Sequence, residues 1–126
     1  MSRTRAFAAV SSAEVAALAA GETVVPEAGW QVAGEPGVEP SEEVAEDAME
    51  AAADEAAGRS WPVVVLAADL ERSPSGSPAR EVRLRDVAAF HLGDDVVSGG
   101  RLSAEPPWEL SWYDVAEVAE VLRLIG

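Results

Sequence analysis

Apolar and polar positions along the chain change period several times, and each change marks an element. Thr4–Val10 is a short apolar run after a polar start and reads as a strand. Ser11-Ser12-Ala13-Glu14 fits a capping box, with Val15, Leu18 and Ala19 on one helical face and Gly21 where a helix C′ glycine belongs. Val24–Val32 suggests a second strand, interrupted by Pro26 and Gly29. Ser41 then caps the most legible helix. Its Glu42 and Glu43 suit the positive end of the helix dipole, Ala45, Ala48, Met49, Ala52 and Ala56 recur at helical spacing, and Gly58 marks its end. The continuous run from Trp61 to Ala68, leading into Asp69, predicts a central strand buried on both faces.

Beyond it, Val82 and Leu84 alternate with Glu81, Arg83 and Arg85, which predicts a half-exposed strand. Asp86 falls on the buried side of that alternation, so a bulge or bend is expected at Arg85-Asp86. Ala88–Leu92 continues as strand and Gly93-Asp94-Asp95 as turn. Pro106-Pro107 reads as a rigid spacer. Ser111-Trp112-Tyr113-Asp114 resembles another cap, opening a last helix with Val115, Val118, Ala119, Leu122 and Ile125 on one face. Residues 34–40 and 71–79, rich in Gly, Pro and Ser, read as flexible loops. The order β-α-β-α-β-β-α implies an α+β fold: a two-layer sandwich with a small, mostly antiparallel or mixed sheet covered by about three helices.

The length, 126 residues, fits a single globular domain over 1–126. Apolar types reach 48%, but 25 alanines and 17 valines dominate them, which implies thin, closely packed layers with large rings filling gaps. All nine basic residues are arginine, so lysine chemistry is absent, and the lack of cysteine removes disulfides and thiolate sites. No segment has the length of a signal peptide's apolar core or of a membrane span, and the expected location is the cytoplasm.

The net charge is −14, which disfavours direct contact with nucleic acid or an anionic membrane. It is unevenly placed. Residues 41–59 carry seven acids against one arginine, and 105–126 carry five against one. Glu43, Glu46, Asp47, Glu50 and Asp54 form an acidic helix surface that serves either a basic partner or solubility alone. Trp108, Trp112 and Tyr113 cluster before the last helix, either closing the core or anchoring an interface. Arg83 and Arg85 lie where an anion or an acidic helix of a second copy can reach them. No metal-ligand spacing is present: a di-metal helix site pairs glutamate with histidine, and no histidine is near these acids. No cofactor motif is present either.

His91 is the only histidine. It reads as a half-buried strand residue, or as a general base oriented by Asp69 or Asp94. Asp69 ends the central strand, where α/β sites gather, but equally caps a turn.

Three segments, Val63–Leu70, Val82–Leu92 and Leu110–Val118, together resemble a family of small actinobacterial proteins grouped as a domain of unknown function. The resemblance implies a bacterial source and a compact fold, and assigns no catalytic residue. The functional expectation is a non-enzymatic interaction or regulatory module, binding a basic protein or itself. The alternatives are a small enzyme or ligand-binding protein with its site near Asp69, His91 and Asp94, and an acidic mimic of nucleic acid.

Overall fold

A computed structural model describes residues 3–32, 41–71, 81–97 and 110–125. Trp108, loop 34–40, nearly all of loop 71–79 and the Pro106-Pro107 spacer lie outside them. The described chain runs β1 (Arg3–Ala9), α1 (Ser12–Ala19), β2 (Gln31–Val32), α2 (Glu42–Gly58), β3 (Val64–Glu71), β4 (Val87–Gly93), α3 (Asp94–Val97), β5 (Leu110–Asp114) and α4 (Val118–Ile125). Five strands form one sheet in the order β2-β1-β3-β4-β5, every pairing antiparallel. The α+β sandwich expected from the sequence is what forms, with β3 at its centre.

Helices lie on both faces of this sheet, one layer more than the element order implied and in keeping with a central strand buried on both faces. Alternation along β3 explains why. Val64, Leu66, Ala68 and Leu70 join one core with Val15 and Leu18 of α1, Phe90 and Leu92 of β4, and Val121 of α4. Val63, Val65 and Ala67 join the other with Phe7, Ala9 and the α2 alanines Ala52, Ala53 and Ala56. Successive strand residues point to opposite faces, so a run that is apolar throughout requires cover on both. The α1/α4 side holds the large side chains, each contributing roughly 1.5–3 kcal/mol on full burial. The α2 side is built from alanine and valine, which brings the helix close to the sheet.

Local chemistry sets the ends. Ser11 N–H donates to Glu14 Oε1 at 2.9 Å and Glu14 N–H to Ser11 Oγ at 3.2 Å, closing the expected box. Val44 N–H donates to Ser41 Oγ at 3.2 Å at the start of α2. The end of α2 differs from expectation. The helix includes Gly58, and the left-handed residue that closes it is Ser60, at φ 59°. Trp61 N–H reaches back to Ala56 O, and Ser60 N–H to Ala57 O, both at 3.0 Å. This is a Schellman closure with serine where glycine usually stands.

Three strand assignments change. Within Val24–Val32 only Gln31–Val32 pairs as a strand with β1, while Val24 makes an isolated bridge with Val82. A turn at Pro26–Gly29 separates them, with Gly29 N–H on Pro26 O at 3.1 Å. The alternation at Val82–Arg85 does not extend into a strand. A 3-10 turn over Leu84–Asp86 interrupts it, held by Arg83 N–H on Asp86 Oδ2 at 3.1 Å. The bend expected at Arg85-Asp86 is this turn. Finally, Ser111–Asp114 belongs to strand β5, and the cap stands at Asp114, whose N–H donates to Glu117 Oε1 at 3.1 Å. The adjacent aromatics Trp112 and Tyr113 favour strand there over the cap motif.

Candidate functional site

α2 lies over β2, β1 and β3. Between its N-terminal half and the neighbouring part of the sheet opens a cleft of about 240 Å³. One wall is Glu42, Glu46 and Met49 of α2, and the other is Phe7 of β1, His91 of β4 and Trp112 of β5, with Arg5 also lining it. The strands place these side chains by period and register. Arg5 and Phe7 are two residues apart on β1 and share a face. His91 is paired with Val65 on one side and with Trp112 on the other. The helix contributes one side of its first two turns, where Glu42, Ala45, Glu46 and Met49 follow a spacing of three or four residues.

His91 is half-buried, and its ring lies 6.4 Å from that of Phe7, tilted by 53°. Burial lowers its pKa below the ordinary histidine value, and the positive charge of Arg5 lowers it further. The imidazole is therefore neutral at neutral pH.

Asp69 is not brought to His91. It faces Arg5 directly across β1 and β3. Arg5 Nε donates to Asp69 Oδ1 at 2.8 Å and Arg5 Nη2 to Oδ2 at 3.3 Å. On β3, Asp69 lies four residues beyond Val65, the partner of His91, a distance of roughly 13 Å at the usual strand rise. The carboxylate neither orients the imidazole nor caps a turn; it fixes an arginine. The Asp94 side chain lies outside the described residues. Its neighbour Asp95 is structural, accepting from Val63 N–H through Oδ2 at 3.1 Å.

The aromatic cluster divides. Tyr113 packs against the core on the α1/α4 side. Trp112, the next residue back on the same strand, points to the other face and is 62% exposed. Of the acids, Glu43, Asp47 and Asp54 are exposed on α2, Glu50 is half-buried, and Glu46 lines the cleft. Arg83 and Arg85 are exposed beside the 3-10 turn and do not project from a strand; Arg83 Nε donates to Thr23 Oγ1 at 2.9 Å. No group of three or more His, Asp or Glu side chains that could hold a metal occurs among the described residues. No helix there is long and apolar enough to cross a membrane.

No motif marks Arg5, Phe7, Glu42 or Met49 as site residues, although Glu42 and Met49 stand out as parts of the helix pattern. Their signal was positional: Arg5 shares its strand face with Phe7, and Glu42 and Met49 share their helix face with Glu46. No family model, curated protein or solved structure matches the chain.

Proposed function

We propose that this chain is a non-enzymatic interaction module of the cytoplasm that holds a basic protein segment against α2. One observation carries this reading. The exposed Trp112 lines the same cleft as Glu42 and Glu46. An acidic helix alone is accounted for by solubility, and so is a single exposed aromatic. A tryptophan beside carboxylates resembles the centre of a binding surface, where large aromatic side chains supply most of the energy. The acids on the rest of α2 then raise the rate of encounter with a cationic partner.

Calorimetry with a defined arginine- and lysine-rich peptide tests the reading. Binding is expected at low salt and should weaken steeply as the salt rises past physiological strength, where screening lengths fall below about 8 Å. It should be lost in a variant carrying Glu43→Gln, Glu46→Gln, Asp47→Asn, Glu50→Gln and Asp54→Asn. Undetectable binding at low salt, or undiminished binding by that variant, overturns the reading.

A further inference from the structure

The C-terminal end of α2 already shows how this chain holds an arginine. The Arg59 guanidinium carbon lies 5.0 Å from the centre of the Trp61 ring. Arg59 Nε donates to Glu55 Oε1, one helical turn back, at 2.8 Å. The guanidinium is thus stacked on an indole and held by a carboxylate of α2. Its flat, delocalised cation suits both contacts at once, which a lysine ammonium does less well.

At the other end of α2, the cleft presents the same two kinds of group. Trp112 offers an indole that is 62% exposed, and Glu42 and Glu46 offer carboxylates from the helix. Neither carboxylate forms an ion pair with another described residue. Arg5 does not complete the set, because its Nε and Nη2 are bound to Asp69. Burial keeps His91 neutral, so two glutamates against the one charge of Arg5 leave the cleft lining net negative. Met49 and Phe7 add apolar surface to its two walls. Its volume, about 240 Å³, falls below the roughly 300–1,000 Å³ usual for cofactor and drug-sized ligands. It matches a single long side chain.

We propose that the cleft between α2 and β5 receives one arginine side chain of a partner protein, its guanidinium stacked on Trp112 and bound by Glu46 and Glu42. This rests on the reading of the chain as a module for basic segments, and names the group that is recognised. The methylene stem lies along Met49 and Phe7.

The test uses the full chain, uniformly ¹⁵N-labelled, and short capped peptides with one central residue flanked by alanine and glycine. The central residue is arginine, lysine or citrulline, the last being the neutral isostere of arginine. The arginine peptide is expected to shift the Trp112 indole N–H resonance, assigned by its loss in Trp112→Phe. Lysine should bind several-fold more weakly and citrulline at least tenfold more weakly. Glu46→Gln should reduce arginine affinity at least fivefold. Asp47→Asn, an equal charge change on a neighbouring residue outside the cleft lining, should alter it less than twofold. Trp112→Leu should abolish the lysine–arginine difference, while Trp112→Phe retains part of it. Amide spectra of each variant confirm that the fold persists. Equal weakening by Glu46→Gln and Asp47→Asn, or equal binding of arginine and citrulline, overturns the proposal. In those cases the module reading still stands if the longer basic peptide binds with steep salt dependence, and it falls with the proposal if that peptide also fails.

Discussion

His91 on β4 stands directly opposite Trp112 on β5 in the antiparallel ladder. Directly opposed residues have Cβ atoms about 4.5–5.5 Å apart and project from the same sheet face. The only histidine in the chain is therefore the cross-strand neighbour of the exposed Trp112. Protonating one changes the surroundings of the other. Tryptophan emission from the wild type is expected to change on acidification with a midpoint below the ordinary histidine value of about 6.5. Trp112→Phe should remove that transition while the other tryptophans continue to emit.

The same lowered pKa links His91 to stability. The folded state disfavours the protonated imidazole and the unfolded chain does not. Between the folded and unfolded pKa values the unfolded state binds more protons, so stability rises with pH across that window. The contribution is fully present above the unfolded value and is lost as pH falls through the folded one. Urea midpoints measured from pH 7.5 downward should decline through this range. His91→Gln should remove that component of the decline and leave the part due to carboxylates.

Arg5 and Asp69 are joined across β1 and β3, with side chains 38% and 41% exposed. Solvent at that exposure screens the pair, and its net worth is at most about 1 kcal/mol. Asp69→Asn should lower stability by no more than this in denaturant titrations, with a smaller loss at high salt. Arg5→Met removes a second influence as well. The His91 pKa, followed through its ring-proton shifts, should rise toward the ordinary value without reaching it, because burial, the larger cause, remains.

The layers of this fold were legible wherever one physical signal acted alone. The uninterrupted apolar run through Val63–Ala68 fits only a strand covered on both faces, and the alanine spacing of α2 marks its buried side. Ser11 and Ser41 announced two helix starts because their side chains satisfy backbone N–H groups in any context. Segments with two competing signals are ambiguous in the sequence. Ser111–Asp114 carries both a cap-like pattern and strand-forming aromatics, and pairing with β4 decided between them. Asp69 reads as a site or a turn residue because the sequence does not reveal its cross-strand partner, sixty-four residues away. The cleft was half visible for the same reason. Glu46, His91 and Trp112 each stand out in the sequence, but their meeting depends on how three separate elements, α2, β4 and β5, are placed.

Two like-charge pairs on α2, Glu46–Glu50 and Glu50–Asp54, share residue 50. Each i, i+4 repulsion costs about 0.2–0.5 kcal/mol at low salt. Glu50→Gln relieves both at nearly unchanged helix propensity and is expected to raise stability by roughly 0.4–1 kcal/mol. Glu55→Gln should act in the opposite direction, because Glu55 holds Arg59. Thermal melts at low salt should order the proteins as Glu50→Gln above wild type above Glu55→Gln, with the spacing compressed at 0.5 M salt.

Ser60 offers a test of backbone strain at the other end of the same helix. Its φ of 59° lies in the left-handed region, where a side chain costs about 1–2 kcal/mol. The position is fixed by the Schellman bonds from Ser60 and Trp61 to the last turn of α2. Glycine adopts this conformation without the steric cost but loses more freedom on folding, by roughly 0.5–1 kcal/mol. The difference favours Ser60→Gly by about 0.5–1 kcal/mol. Ser60→Val should destabilise by more than that, since β-branching is least compatible with positive φ. Because this closure also brings Trp61 beneath Arg59, the valine variant should lose the Arg59–Trp61 stack, read as a change in the near-ultraviolet dichroism of the tryptophans. The glycine variant should keep that signal. If glycine and valine shift stability in the same direction, the strain assigned to Ser60 is not what limits the end of α2.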